Sequence, residues 1–197
     1  MESQIEQSCP ICGVENSLKM LAHTSEIPYF GEHTQITMSC HSCGWRVTDF
    51  IPAEGKKAGS WKLVVSSAEH ISSRVVRSSS CTVRIVELGL EVTPGSSSTG
   101  YISNVEGVLD RFSSAIGTIR RQADAEVDED ILKKCDELIS RIDLVKNGNL
   151  TVTLELLDPV GHSQILHEEA VSSEISDEDA RELDPGPVYP VFDVSNE

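Results

Sequence analysis

Aromatic side chains make up only 5% of this 197-residue chain, so its core must be built from aliphatic residues. Positive charge is also in the minority: 16 Lys and Arg stand against 32 Asp and Glu, for a net charge of -16. Such a balance disfavours nonspecific adhesion to phosphate backbones or anionic lipid, and it attracts basic protein partners. No run of about 18 apolar residues is present to cross a bilayer, and "MESQIEQSCP" lacks the basic-then-apolar pattern of a secretory leader. A soluble, cytoplasmic protein is expected. No nucleophile elbow, Walker loop, dinucleotide fingerprint or HExxH appears, which argues against an enzyme. The six cysteines are not spread through the chain as an extracellular disulfide framework would be.

Four of them instead form two close pairs, in "CPICG" (Cys9, Cys12) and "CHSCGW" (Cys40, Cys43). Two residues between cysteines is the spacing at which one tight turn presents two sulfurs to one ion, and zinc takes four thiolates tetrahedrally. Gly13 and Gly44 follow the pairs, letting the backbone turn beneath the metal. The alternating run from Thr34 to Cys40 reads as a strand, so the segment is a zinc ribbon. A four-sulfur site has no position for an activated water; one structural Zn2+ is expected, with a rubredoxin-like iron as the chemical alternative. His33 and His41 are expected to be ordinary polar residues.

Beyond Trp61, "WKLVVSS" and "CTVRIVELGLEV" read as strands, with a bulge at Val86 and Glu87 where alternation breaks. The turn-rich "TPGSSSTG" at 93–100 marks a boundary. Ser103 and Glu106 have capping-box spacing, and Val105, Val108, Leu109, Phe112, Ile116 and Ile119 fall on one face of a helix. A second helix over 128–146 aligns Val127, Ile131, Cys135, Leu138, Ile142 and Val145 and stops at Gly148. "LTVTLELLDPVGHSQIL" reads as a hairpin turning at "DPVG", with Asp158, Pro159 and Gly161 as turn residues. His162 and His167 are five apart, facing opposite sides of a strand, which does not make a metal pair. The acidic end carries a short helix over 176–183 and then Val188, Tyr189, Val191 and Phe192, which suggest docking on the domain. Cys81 and Cys135 are expected to be buried apolar residues.

The ordered set "CPICG", "IPYFGE", "MSCHSCGW", "SRVVRSSSCTVRIVELGLEV", "GYISNVEGVL", "LLDPVGHSQIL" and "GPVY" resembles the ZPR-type zinc-finger protein family over nearly the whole chain. The resemblance implies a mainly β fold with α: a zinc ribbon over 1–55, then a double-stranded β-helix (cupin-like barrel) domain over 56–197. Within the barrel domain a helical hairpin is inserted at 101–148, and the acidic C-terminal segment spans 168–197. This chain has room for a single module, the form expected of archaea, whereas eukaryotic relatives carry two. The family implies binding to translation elongation factor one-alpha, as a folding assistant or nucleotide-state-selective partner. Two positions depart from its pattern: Val86 stands for a usual proline and His162 for a usual asparagine.

For the partner surface, Ile27, Tyr29 and Phe30 concentrate apolar area in a metal-pinned loop, with Trp45 beside the second knuckle. Lys56, Lys57, Lys62, Arg74, Arg77 and Arg84, opposed only by Glu69, form a basic island over 56–84. Arg74 and Arg77 are its candidate contacts. This island is the basis of the alternative function, a nucleic-acid-binding zinc ribbon in transcription or translation, which the overall charge disfavours.

Overall fold

A computed structural model describes residues 2–5, 7–27, 31–52, 57–95, 97–184 and 186. The ribbon is a four-stranded antiparallel sheet in chain order: β1 (Glu2–Ile5), β2 (Leu18–Ile27), β3 (Gly31–Cys40) and β4 (Arg46–Pro52). Alternation buries Leu18 and Met20 on β2 with Met38 and Cys40 on β3 and Val47 on β4, giving the ribbon a small core of its own.

The second unit has strands β5 (Gly59–Val65), β6 (Arg74–Arg77), β7 (Thr82–Ile85), β8 (Leu90–Val92), β9 (Tyr101–Asn104), β10 (Val152–Asp158), β11 (Gln164–Leu166) and β12 (Val171–Glu174). Its helices are α1 (Ala68–Ser72), α2 (Val105–Glu126), α3 (Glu129–Lys146) and α4 (Asp177–Glu182). Strands divide into a five-stranded sheet, β12-β5-β10-β7-β8, and a three-stranded one, β11-β6-β9. One aliphatic core joins Leu63, Ile85, Leu154 and Leu156 of the first sheet to Val75 and Ile165 of the second. The same core takes in Leu109 and Phe112 of α2 and Ile142 of α3, so the helical hairpin closes one side of the sandwich. The fold is mostly β with helices, as the resemblance implies.

Several local expectations change. The break at Val86 and Glu87 is a 3-10 turn, Val86–Leu88, ended by Gly89 at φ 60°, and it folds β8 back on β7 as a hairpin. Glu87 pins that turn by accepting bonds from Thr153 N (2.6 Å) and Thr153 Oγ1 (2.8 Å). Val86 is exposed, so its departure from the family proline alters no packing. The "DPVG" turn does not make a hairpin: β10 pairs with β5 and β7, whereas β11 pairs with β6 in the other sheet. The chain crosses between sheets there. Strands β1 and β12 carry no alternating apolar signal in the sequence and are held by pairing to β2 and β5.

The cap of α2 is Asn104, whose side chain accepts from Gly107 N at 2.8 Å, because Ser103 is committed to pairing with Val75 in the sheet. A Cβ on Gly107 would lie 2.1 Å from Ser103 Oγ, so an alanine requires that hydroxyl to swing away. Nothing in the structure explains Gly117. Toward the tip of the hairpin the apolar stripe leaves the core: Ile119, Val127 and Ile131 are 53%, 76% and 41% exposed. Val127 also sits at φ 59°, a left-handed conformation that a β-branched residue rarely adopts.

Candidate metal centre and the surfaces around it

Each cysteine pair sits in a knuckle, and the two knuckles repeat one pattern of backbone bonds. Gly13 N donates to Cys9 O (2.8 Å) and Gly44 N to Cys40 O (3.0 Å); Cys9 N donates to Val14 O (3.1 Å) and Cys40 N to Trp45 O (2.7 Å). Gly13 and Gly44 take φ 71° and 77°, the left-handed geometry that closes each turn without a Cβ penalty. The result brings all four sulfurs within 4.8 Å of one another. Cys9 Sγ and Cys43 Sγ are 3.7 Å apart, and Cys12 Sγ and Cys40 Sγ 3.8 Å. A tetrahedral zinc with Zn–S bonds of about 2.3 Å has sulfur–sulfur edges of about 3.8 Å, so the residues fit the ion. Cys9 and Cys40 are buried, with Cys40 Sγ 3.3 Å from the buried Ser17 hydroxyl, while Cys12 and Cys43 lie at the surface. Four thiolates complete the coordination of one structural zinc and leave nothing open for substrate.

Among the described residues this is the one group of three or more His, Cys, Asp or Glu side chains close enough to share an ion. His33 is buried elsewhere, with Nδ1 3.1 Å from Gly31 O. In the barrel, His70 and His167 meet edge to face at 4.7 Å, an approach that spacing along the chain does not show. Ser66 N donates to His70 Nδ1 and Glu169 N to His167 Nδ1, each at 3.1 Å. With Nδ1 accepting, the neutral rings carry their protons on Nε2, and His70 Nε2 faces Glu169 Oε2 at 3.4 Å. His167 Nε2 is buried and has no hydrogen-bond partner among the described residues.

The described partner candidates differ in exposure. Tyr29 and Phe30, with Lys56 and the residues at 188–192, lie outside the described residues. Ile27 is 8% exposed and packs with Phe50 of the ribbon against Val76 and Leu166 of the barrel, so it joins the two units and presents little surface. Trp45 is half-buried against the ribbon core. Arg74 is exposed on β6. Arg77 is buried: Nε and Nη2 donate to Cys81 O (3.1 and 2.6 Å), and Nη1 to Ser98 Oγ (2.8 Å) and Thr99 O (3.1 Å). The basic island is likewise engaged by acidic residues, Glu155 and Glu174 from distant strands and Glu91 from the neighbouring one. Lys57 pairs with Glu174, Lys62 with Glu155, and Arg84 with Glu91 and Glu155.

Two polar clusters that the sequence does not announce do structural work. Asp49 of β4 accepts from Ser79 N (2.9 Å) and Ser79 Oγ (2.5 Å), and Gly100 N donates to Thr48 O (2.7 Å), fastening the ribbon to the barrel. A Cβ on Gly100 would lie 2.6 Å from Asp49 Oδ1 and 3.2 Å from Asp49 Cα, so glycine is what permits the approach. Gly100→Ala is expected to weaken this junction by about 1–3 kcal/mol. Hydrogen exchange should show Gly100 and Phe50 losing protection while zinc stays bound; unchanged protection would refute it.

The second cluster surrounds Asp158, which is 1% exposed. Its carboxylate accepts from Ser78 Oγ (2.7 Å), Ser80 Oγ (2.9 Å), Ser163 Oγ (2.6 Å), Ser163 N (2.8 Å) and Val160 N (3.0 Å). Cys81 lies alongside, fully buried; burial and the Asp158 charge push its thiol up to about 12, so it is protonated and inert. Cys135 is buried in the core.

Comparison with known proteins adds lineage to this geometry. A model described as the ZPR1 zinc-finger domain matches residues 3–56, and one described as the ZPR1 jelly-roll domain matches residues 69–182. The chain is similar to a ZPR1-like protein of Methanocaldococcus jannaschii, 38% identical over 186 residues that cover 94% of this chain and 92% of that one. It is similar also to a ZPR1-like protein of Pyrococcus horikoshii, 36% identical over 91% of this chain and 80% of that one. To a protein named zinc finger chaperone zpr1 in Schizosaccharomyces pombe it is 26% identical over 80% of its length, matching 34% of that longer protein.

Proposed function

The chain belongs to the ZPR1 zinc-finger protein family, and from that premise we propose that it is a nonenzymatic, zinc-stabilised binding protein for translation elongation factor one-alpha, acting as a folding assistant in the cytoplasm. The observation that carries this reading is the closed four-thiolate centre mounted on a sandwich whose helical hairpin exposes Ile119, Val127 and Ile131. Metal-pinned geometry gives a rigid platform, and exposed aliphatics offer a surface to apolar segments of another protein. The net charge of -16 favours encounter with a basic partner. The name of the fission-yeast relative points the same way, toward a chaperone. Localisation rests on composition; among the described residues no helix is long and apolar enough to cross a membrane. A nucleic-acid role finds less support, since Lys57, Lys62 and Arg84 are ion-paired and Arg77 is buried.

Calorimetric titration of the zinc-loaded protein into the elongation factor of the same source, in its GDP and GTP forms and during refolding from denaturant, tests the proposal. Saturable binding, or a raised yield of refolded factor, is expected. Val127→Asp should weaken either effect about tenfold, as loss of a central apolar contact does. No binding in any state and no change in yield would remove it.

A further inference from the structure

A slot of about 250 Å³ lies between α2 and the 93–100 loop, with no ribbon residue in its described lining. Val83, Val92, Val108, Phe112 and Ala115 form its apolar walls. At its polar end two guanidiniums approach the Tyr101 ring, Arg111 at 4.1 Å and Arg77 at 5.8 Å from the centroid. No carboxylate lines it among the described residues, although the chain carries twice as many acidic as basic side chains. Arg77 bonds only to neutral oxygens. Arg111 stands exposed at the rim. The volume falls below the roughly 300–1,000 Å³ of sites for drug-sized ligands and nucleotides, and suits one or two apolar side chains followed by a carboxylate.

The rim also receives the far end of the chain. Gly186 sits where an added Cβ would be 2.6 Å from Pro94 Cβ and 3.6 Å from Ser79 O, and Pro94 is flanked by Thr93 and Gly95, both of which line the slot. From that point the sequence continues "PVYPVFDVSNE": four apolar side chains, two prolines that favour an extended backbone, and then Asp193. Seven residues reach at most about 23 Å, enough to cross the slot from its rim. We propose that this pocket is the docking site of the chain's own C-terminal segment, with residues 188–192 against its apolar walls and the Asp193 carboxylate on Arg111. The site recognises an apolar side chain followed by an acidic one, and its occupant is supplied in cis.

Chymotrypsin cleavage after Phe192 in the full-length, zinc-loaded protein tests this, each variant being referred to a synthetic peptide of its own residues 184–197. Cleavage is expected to be at least about tenfold slower than in the peptide, because protection follows the docked population. Arg111→Glu should raise it to within about twofold of the peptide rate, and adding Asp193→Arg to that variant should restore protection. Arg111 is at the surface, so circular dichroism and zinc content should not change. Cleavage of the unaltered protein at the peptide rate would overturn the proposal. So would protection that survives Arg111→Glu, which puts the segment elsewhere, or protection that rises with protein concentration, which puts it on a second copy.

Discussion

Cys40→Ser is expected to release the zinc and unfold the ribbon while leaving the sandwich folded. Structural zinc contributes about 10–16 kcal/mol of apparent folding free energy in small fingers, and the ribbon has little to replace it. Among the described residues its own core holds Leu18, Met20, Met38 and Val47 besides the buried ligands Cys9 and Cys40, with Ile36 and Trp45 half-buried against them. Among the described residues the main core contains none from β2 to β4, so the sandwich does not depend on the metal for its packing. Contacts at the boundary should suffer next: Ile27 and Phe50 leave Val76 and Leu166, and Asp49 leaves Ser79. Metal analysis should fall from one zinc per chain to none. Hydrogen exchange should show β2 to β4 losing protection and β5, β7 and β10 keeping it. Loss of protection throughout would mean that the two units fold as one, contrary to the separation of their cores.

Asp158→Ala carries the largest expected cost within the sandwich. Removing the carboxylate strands two amides, those of Val160 and Ser163, and leaves the buried hydroxyls of Ser78, Ser80 and Ser163 only their bonds to one another, Ser78 Oγ being 2.9 Å from Ser80 Oγ and 3.3 Å from Ser163 Oγ. Bonds to a charged acceptor are worth about 1.5–3 kcal/mol each when the partner is left unsatisfied, although such contributions do not add fully. A net loss of about 3–5 kcal/mol is expected, which in a chain of this size lowers the melting temperature by about 10 °C. Asp158→Asn should fall between, since one amide oxygen can still accept but the amide nitrogen meets donors. Thermal unfolding followed by calorimetry, with zinc retained, measures it. A change below about 1 kcal/mol would mean that water replaces the carboxylate, and the crossing between sheets would need another explanation.

The contrast between these two sites shows what can be read along a chain. Both cysteine pairs are local patterns: each knuckle is a turn of a few residues, so spacing and the following glycine suffice to specify a metal site. The helices at 105–126 and 129–146 are similarly local, since periodicity reports the stripe that is buried except toward the hairpin tip. Asp158 gives no such signal, because its partners Ser78 and Ser80 lie about 80 positions away and a "DP" pair is an ordinary turn signature. The charge pairing of the basic island is hidden from the sequence for the same reason. Its opposing charges, Glu155 and Glu174, come from strands that only sheet pairing brings beside β5.

Sequence alone therefore determined a structural zinc ribbon, an acidic and largely aliphatic chain, a helical hairpin between strands and a family. Each of these follows from composition, from short spacings or from the order of motifs. Tertiary structure decided which residues remain available for function. It buried Ile27 and Arg77, turned Asp158 from a turn residue into the hub between two sheets, and set two arginines around Tyr101 beside the point where the acidic end of the chain returns. The physical reason is that burial and charge pairing depend on which strands become neighbours, and strands such as β10 and β11 join different sheets although only a short turn separates them.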